Sequence, residues 1–503
     1  MVWHGATGSA QAAWGLGVVL SAGIFFAGCG SDGESAADPE DAAESDATSG
    51  DWWQPPAKDA GTAAGDVAVA EAGPADAGGP GTDAGGPGAD VDAAAGGGSD
   101  TAFVADIGGG LPSEVTAIAP AFNLFAPAGI HEVKIALPAN EWTAYLDGVA
   151  KPDGTQVYKW HKADVEVDGI SYTSVGIHGF GNGSQIENPG KPNIKLKFDK
   201  YVAEGWGPEN QRSFRLKASG QDPTYLREPI AGAMLRSVGG AAPRFSWALV
   251  TVNGVEYGPY LLQETVDKRF FHNTFGNNDG AKLTTTSGCY GIDCGTVTDC
   301  ATLKTKFEAD PGDPQQIVDL ASLIATATEA QLPDLLANHF YLDELLADYA
   351  VDAAISNLDG FASAAQNFTF YVDELTGRFH LIAQGTDLTF GMFGNAWYEL
   401  ATPWGPPNSW CKARKDPLYT RIWNSPVLRP QLLAKLRGLQ CGLLRDTTLL
   451  PLVASYHKAL KPYIDNEPKG IYSPKQVDDF YVKLEKYVTA RQKTLSDLLQ
   501  PCP

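Results

Sequence analysis

The sequence lacks several short motifs by which common catalytic sites are recognised. Its eight histidines include no H-E-x-x-H pair, and no G-x-S-x-G segment is present. These two absences argue against a helical zinc-hydrolase site and against a serine-hydrolase elbow. No glycine-rich segment ends in Gly-Lys followed by Ser or Thr, so a strand-to-helix P-loop is not supported either.

Basic residues are nearly absent from residues 30–106. This segment has 17 Asp and Glu residues against the single base Lys58, so it carries most of the chain's net charge of −23. The segment consists largely of Ala, Gly, Asp, Ser and Pro. These residues offer too little apolar surface to offset the conformational entropy that the chain would lose on folding. We therefore predict a solvated tether over residues 29–118, whose acidity argues against a nucleic-acid partner.

An apolar run over residues 12–28 precedes Cys29 and has the length of a signal-peptide core rather than of a full membrane span. Small residues immediately before the cysteine resemble a bacterial lipobox, although Phe26 is unusual there and no Lys or Arg precedes the run. We predict a signal peptide over residues 1–28 and a lipid anchor at Cys29. The expected product is an exported lipoprotein at the outer membrane or cell surface; the alternatives are an uncleaved anchor or a misassigned start.

Six cysteines remain in the globular part, an even number that suits disulfides in an oxidising compartment. Their spacing includes no C-x-x-C pair of the kind that zinc sites use. Up to three disulfides are predicted, and the sequence leaves open their pairing among Cys289, Cys294, Cys300, Cys411, Cys441 and Cys502.

A glycine-rich stretch over residues 178–184 is followed by a strand-like segment that carries Lys191, Lys195 and Lys197. Alternating glycines let a backbone approach a bulky anion closely, and the two-residue period of a strand would put the three lysines on one face. The two segments predict a phosphate-binding loop and strand. The simpler interpretation is a hairpin with a solvated basic face.

Two elements downstream suit a nucleotide site. A helix is predicted from Asp222, and Glu228 in its second turn lies either at the surface or against a strand lysine. One hairpin is predicted to turn at Asp168 and Gly169. A second hairpin, which turns at Asn253 and Gly254, ends near Glu264, after which the pattern changes from strands to helices. A strand that leaves a sheet for a helical half is where a two-lobed enzyme has its hinge.

Three oxygen-bearing side chains flank one predicted hairpin. Asp359 precedes it, Asn367 begins it and Asp387 follows it. Their carboxylate and amide oxygens suit Mg²⁺, although each residue alone is a common turn former. The arrangement predicts a Mg²⁺ site.

Taken in order, these segments resemble the CotH family of atypical protein kinases over roughly residues 130–500. The matching segments are residues 130–135, 175–184, 191–199, 222–228, 253–264, 357–360, 367–368 and 387–391. The resemblance implies an α+β fold with two lobes like those of protein kinases. An antiparallel, β-rich N-lobe would occupy residues 119–266, and a mainly helical C-lobe would occupy residues 267–503.

The resemblance also implies transfer of the γ-phosphoryl group of ATP, with Mg²⁺, to Ser or Thr of extracytoplasmic proteins. By position, the phosphates would be covered by Gly179, Gly181, Asn182 and Ser184. A lysine of the following strand would contact them; Lys195 is the first choice, and Lys191 and Lys197 remain open.

The remaining roles follow from the same resemblance. Glu228 would orient the lysine, and Glu264 would lie at the adenine hinge. Asp359 would accept or orient the substrate hydroxyl, while Asn367 and Asp387 would hold Mg²⁺.

Two departures from the family pattern leave an alternative function open beside the kinase. His178 and Phe180 stand where relatives often have Arg and Lys, and Gly385 stands where they often have Asp. Each change removes charge beside the predicted nucleotide site. The alternative is a weak or inactive pseudokinase that serves as a cell-surface binding or adhesion module.

Overall fold

The computed structural model describes residues 124–125, 129–149, 158–181, 190–203, 205–285, 290–292, 294, 299–392, 400 and 417–502. The predicted signal peptide, Cys29 and the predicted tether lie outside the described residues. So do Asn182 and Ser184 of the glycine-rich stretch, and two of the cysteines, Cys289 and Cys411.

Seven strands close into a barrel in the first half of the described chain. They are β1 (Ile130–Ala136), β2 (His161–Val167), β3 (Ile170–Gly179), β4 (Ile194–Lys197), β5 (Ser213–Lys217), β6 (Phe245–Val252) and β7 (Val255–Glu264). Their order round the barrel is β1-β2-β3-β4-β5-β7-β6, and β6 completes the circuit by pairing in parallel with β1. The other neighbouring strands pair antiparallel.

Period-two alternation separates the interior of the barrel from its outer face. Val133 and Ile135 of β1, Leu196 of β4 and Leu216 of β5 belong to one buried apolar cluster. Helix α1 (Ala139–Val149) adds three buried side chains to the same cluster. The alternate residues of β4 and β5 therefore point out of the barrel, where charged side chains can line a surface.

Two tight turns of the barrel match the hairpins expected from the sequence. Asp168 and Gly169 join β2 to β3 with φ angles of 50° and 82°. Asn253 and Gly254 join β6 to β7 with φ angles of 50° and 77°. Positive φ at both central positions is the requirement of the hairpin turn that Asp-Gly and Asn-Gly favour, so both predicted hairpins are confirmed.

The second half combines a smaller sheet with helices. Its sheet has the order β11-β10-β8-β9, built from β8 (Ala281–Thr285), β9 (Phe307–Asp310), β10 (Phe368–Val372) and β11 (Phe379–Ala383). The helices in and around it are α3 (Lys268–Phe275), α4 (Gln315–Thr326), α5 (Leu332–His339), α6 (Leu342–Ile355), α7 (Pro417–Asn424), α8 (Leu428–Cys441), α9 (Asp446–Asp465) and α10 (Pro474–Leu499).

The largest apolar core joins the two halves through helix α2 (Arg227–Ser237), which lies between β5 and β6 in the chain. Ile230 and Met234 of α2 lie in the same buried cluster as Leu346 of α6 and Trp247 of β6. Helix α2 is therefore held by both halves, and a residue in its first turn can link a barrel strand to the second half.

The mixed α+β class is confirmed, and the β-rich part differs from the expected antiparallel lobe. It is a closed barrel in which one of the pairings, β1 with β6, is parallel. Closure pairs the backbone groups that two edge strands would otherwise expose. Local sequence patterns locate strands but do not show which distant strand returns beside the first.

Disulfides join Cys294 to Cys300 and Cys441 to Cys502. The prediction of disulfides is confirmed for these four cysteines. Across the described part of the chain, none of the helices combines the length and the apolarity needed to cross a bilayer.

Candidate functional site

A buried ion pair joins the end of β5 to the start of α2. The ammonium of Lys217 lies 2.7 Å from a carboxylate oxygen of Glu228, and the side chains are 12% and 2% exposed. Burial raises the pKa of Glu228 to about 7; the charge of Lys217 lowers it, and the nearby charge of Asp387 raises it. Lys217, Glu228 and Asp387 therefore form one electrostatic cluster.

The lysine in this pair is different from the one predicted. Glu228 was expected to orient Lys195, but its partner is Lys217. Lys195 lies opposite Arg215 in the register of β4 and β5, and its ammonium is 5.8 Å from the ring centre of Trp160. The order of the elements in the chain could have identified the correct lysine, because Lys217 ends the strand that immediately precedes the helix carrying Glu228.

The three lysines that were expected on one strand face are divided. Lys195 and Lys197 both point out of β4 and line one cavity. Lys191 precedes β4 and is completely buried, where its ammonium donates to the hydroxyl of Tyr225, to a backbone carbonyl and to Glu467. Lys191 does not share the strand face, because the strand begins only at Ile194.

The described start of the glycine-rich stretch folds closely against its surroundings. A Cβ atom on Gly179 would lie 2.4 Å from the ring of Tyr158, so this position requires glycine. Gly181 has a φ of 88°, and its carbonyl accepts a hydrogen bond from Tyr158. Between them, Phe180 is buried, with the guanidinium of Arg215 5.0 Å from its ring centre. The stretch thus leaves β3 directly over the outer face of β5.

Asp359, Asn367 and the segment before Asp387 are in contact. The side-chain nitrogen of Asn367 donates to the carboxylate of Asp359 at 2.7 Å and to its carbonyl at 3.1 Å. A Cβ atom on Gly385 would lie 2.7 Å from the amide carbon of Asn367, so glycine permits the close approach. Asn367 therefore contacts both Asp359 and Gly385, which lies two residues before Asp387, and the charge of Asp387 acts on Glu228.

This donor set fits a magnesium ion. Asn367 uses its amide nitrogen to hold Asp359, and its amide oxygen remains the only metal-ligand atom of that side chain. Among the described residues there is no group of three or more Asp, Glu, His or Cys placed to hold a metal ion. Mg²⁺ commonly takes one or two carboxylates and fills its coordination with phosphate oxygens and water, so a sparse carboxylate set suits it.

The loop that carries Asp359 is fixed by a buried polar network. The side-chain amide of Asn357 donates to the carboxylate of Asp352 at 2.7 Å. A Cβ atom on Gly360 would lie 2.3 Å from the same amide nitrogen, which explains the glycine after Asp359. Helix α6 therefore fixes the backbone near Asp359, because its residue Asp352 holds Asn357.

Arg227 connects the start of α2 to the segment that follows Asp387. It is completely buried, and its guanidinium donates to the carbonyl of Thr389 at 3.2 Å and to the carboxylate of Asp222 at 2.5 Å. Asp222 was expected to cap a helix that starts beside it, but α2 begins at Arg227. Asp222 instead holds Arg227, a role that local sequence patterns did not indicate.

Glu264 is the last residue of β7, and its carboxylate is paired with Arg244. Arg244 donates to it through two guanidinium nitrogens, at 2.7 and 3.0 Å. Glu264 itself is buried, and the chain then runs through Thr265 to Asp267, which caps α3. The Glu264 side chain at the predicted hinge is therefore paired with Arg244, and just after it the amide of Asp267 donates to the carbonyl of Thr265 at 3.0 Å.

A cavity of about 530 Å³ opens beside this segment. Thr265, Asp267 and Ser213 line it, together with Lys195 and Lys197 of β4. The ion pair of Lys217 and the residues around Asp359 are not part of its lining. The cavity lies next to the cluster just described rather than within it.

Comparisons with known proteins give one family match. The family model described as CotH kinase protein matches residues 177–495. The inner spore coat protein H of Bacillus subtilis (strain 168) is 26% identical over 191 residues, which are 36% of this chain and 50% of that protein. The chain thus spans about half the length of this curated relative.

A solved structure, that of the Helicobacter pylori proinflammatory kinase CtkA, was also found. It is 13% identical, and the alignment covers 64% of this chain and 92% of that chain, with a TM-score of 0.29.

Proposed function

Because the chain belongs to the CotH kinase protein family, we propose that it is an ATP-dependent protein kinase. It transfers the γ-phosphoryl group of ATP to Ser or Thr hydroxyls of proteins outside the cytoplasm. The observation that carries the proposal is the cluster of Lys217, Glu228 and Asp387, with Asp359 and Asn367 next to it. Phosphoryl transfer needs positioned cations and metal-binding oxygens more than it needs covalent chemistry.

Lys217 is the residue assigned to the phosphates. The ammonium of Lys217 lies 2.8 Å from one carboxylate oxygen of Glu228 and 2.7 Å from the other, and this pairing fixes where the positive charge lies. A fixed cation stabilises the charge that develops on transferred phosphate oxygens without reorganising during the reaction. In this assignment Lys195 and Lys197 stay at the edge of the nucleotide site.

Asp359 is assigned to the acceptor hydroxyl. Its carboxylate is oriented by the amide of Asn367, so it can hold the hydroxyl in position and accept its proton. Asp387 and the amide oxygen of Asn367 would hold Mg²⁺. When bound, Mg²⁺ supplies positive charge that neutralises the phosphate oxygens.

Arg227 fixes the start of α2 relative to the segment that follows Asp387. Its guanidinium spans from Asp222 to Thr389, two residues after Asp387, and the next residue in the chain is Glu228. One buried side chain therefore sets the separation of the carboxylates of Glu228 and Asp387.

We also propose that the kinase is exported and membrane-tethered through Cys29. Disulfides at Cys294–Cys300 and Cys441–Cys502 support an oxidising compartment. The test is fractionation of cells that express a Cys29→Ser variant. Unchanged recovery in the membrane fraction would remove the lipid anchor from the proposal.

The kinase proposal is tested by incubating the purified full chain with labelled ATP, Mg²⁺ and Ser-rich acceptor peptides. Transfer is expected, and Asp359→Asn and Asp387→Asn should each abolish it while the folded fraction stays unchanged. A nucleotide-induced thermal shift without transfer to any acceptor would favour a pseudokinase. If neither a thermal shift nor transfer is observed, nucleotide binding is refuted.

A further inference from the structure

Asn193 links the glycine-rich stretch to the strand of Lys217. It directly precedes β4 and is 2% exposed. Its side-chain nitrogen donates to the carbonyl of Phe180 at 3.3 Å. Its side-chain oxygen accepts from the backbone N–H of Ala218 at 2.7 Å. One side chain therefore bonds both to the stretch assigned to the phosphates and to the residue directly after the lysine assigned to them.

The strand register explains this double contact. Gly179 of β3 pairs with Ile194, and Ile194 pairs with Leu216 of β5. Because both pairings are antiparallel, continuing them by one residue places the residue before β4 between Phe180 and Lys217. The main-chain pairing ends there, since β4 begins only at Ile194. A side-chain amide at this position supplies one donor and one acceptor in place of the backbone ladder.

The backbone at Asn193 is held independently of these two bonds. The hydroxyl of Tyr145 on α1 donates to the carbonyl of Asn193 at 2.7 Å. Two residues earlier, Lys191 is buried and paired with Glu467, in the connection between α9 and α10. The side-chain amide of Asn193 therefore has a fixed base from which to hold the two neighbouring strands.

The glycine-rich stretch depends on contacts of this kind. Glycine gives a backbone high conformational freedom, so the position of such a stretch is set by the groups that bond to it. Beyond β3, the carbonyl of Gly181 accepts from Tyr158 and the carbonyl of Phe180 accepts from Asn193. The second of these contacts continues through the same amide to Ala218.

We infer that Asn193 is a positioning residue for phosphoryl transfer, because it sets the separation between the glycine-rich stretch and Lys217. The inference rests on the proposed kinase function and adds a residue to its nucleotide site. Asn193 acts through its neighbours, since both its side-chain nitrogen and its side-chain oxygen bond within the protein. A fixed separation keeps the phosphates of ATP between the stretch and the lysine in one geometry.

The variant Asn193→Ala removes both bonds and leaves the pair of Lys217 and Glu228 in place. The glycine-rich stretch is then no longer held to the strand of Lys217, so ATP binds less tightly. We expect KM for ATP to rise about tenfold, the size of about one lost hydrogen bond. Because Lys217 keeps its carboxylate partner, kcat should fall by less than about threefold.

The matched control is Tyr145→Phe. It removes one buried hydrogen bond to the carbonyl of Asn193 and leaves the two side-chain contacts of Asn193 in place. Both variants should lower the free energy of unfolding, so stability alone does not distinguish a positioning role from a structural one. The control should keep KM for ATP within about twofold of the wild type.

The experiment uses the full chain in two arms. Steady-state kinetics with Mg²⁺ and a Ser-rich acceptor peptide gives kcat and KM for ATP. The second arm needs no transfer, because it titrates a fluorescent ATP analogue with Mg²⁺ and follows amide hydrogen exchange by mass spectrometry without nucleotide. In Asn193→Ala the segments around Phe180 and Ala218 should both exchange faster, whereas in Tyr145→Phe they should keep the rates of the wild type.

The outcomes separate this inference from the kinase proposal. An unchanged KM in Asn193→Ala, with transfer by the wild type, overturns the inference and leaves the kinase function standing. Equal increases of KM in Asn193→Ala and Tyr145→Phe also overturn it, because a general loosening of the barrel would then explain them. Weaker binding of the analogue in Asn193→Ala alone, without transfer by the wild type, supports the positioning role and overturns the kinase function. Absence of binding by the wild type overturns both.

Discussion

Replacing Lys217 by Met removes the ammonium from the cluster while keeping a side chain of similar length. Loss of one preorganised charge that acts on developing negative charge lowers kcat by about 10²- to 10³-fold. Lys195→Met makes the same change on the neighbouring strand. Since Lys195 lies opposite Arg215 and outside the Glu228 pair, we expect its effect to stay below about tenfold.

The effect of Lys217→Met on stability follows from Glu228. Its pKa is about 7 in the folded protein against 4.5 as the ordinary value, so the folded state binds this proton more tightly. The free energy of unfolding therefore falls as pH rises from about 4.5 to about 7. Once the carboxyl is ionised, this contribution is unfavourable by about 3 kcal/mol.

Without Lys217, which lowers this pKa, the pKa of Glu228 rises further, so ionising the carboxyl costs more in the variant. The variant should thus be less stable than the wild type at about pH 8. Near pH 6 the carboxyl is protonated in both proteins, so this difference disappears.

Urea unfolding at about pH 6 and about pH 8, together with kcat and KM for ATP, measures these effects. A pH-independent loss of stability would show that Glu228 does not titrate as the geometry implies. Full activity in Lys217→Met, with loss of activity in Lys195→Met, would refute the assignment of the phosphate-contacting lysine and restore the choice made from the sequence.

Three further predictions concern neighbouring features. The kcat/KM of the wild type should rise with pH through about 7, because Glu228 ionises and then holds its lysine. Glu228→Gln should remove this rise from the pH profile. A rise that persists in the variant would belong to another group. Arg227→Met should lower the free energy of unfolding by about 3 kcal/mol, because it leaves buried Asp222 without its guanidinium; a change below about 1 kcal/mol in urea unfolding would contradict this role. Replacing Cys441 and Cys502 together by Ser should destabilise the protein by about 4 kcal/mol, because the disulfide closes a separation of 61 residues; scans with and without reductant should differ more for the wild type than for this variant, which keeps only the disulfide Cys294–Cys300 of the two described.

Features that depend on local patterns were predictable from the sequence. The hairpin turns at Asp168-Gly169 and Asn253-Gly254 require residues that tolerate positive φ, and the sequence supplies them at the turns themselves. The contact of Asn367 with Asp359 was also foreseeable, because Asp359 lies only eight residues before Asn367, at the start of a short hairpin. In these cases the interacting residues lie within about ten positions of one another.

Features that depend on which strands become neighbours were not predictable in the same way. Period two places Lys195 and Lys217 on outward faces of their strands, but it does not show that only Lys217 reaches α2. Lys191 illustrates a second limit, because its partner Glu467 is distant in the chain and only the fold brings them together. The apolar pattern likewise located β1 and β6 without indicating their parallel pairing.

The burial of Lys191 has a consequence for the order in which the protein assembles. Its carboxylate partner, Glu467, lies 276 residues later, after α9. A buried ammonium without that partner is strongly unfavourable, so the segment entering β4 cannot settle until nearly the whole chain is available. Contacts this distant slow folding and make it depend on late-synthesised residues. A chain that ends before Glu467 therefore cannot bury Lys191 as an ion pair, so the start of β4 is expected to be less stable in it.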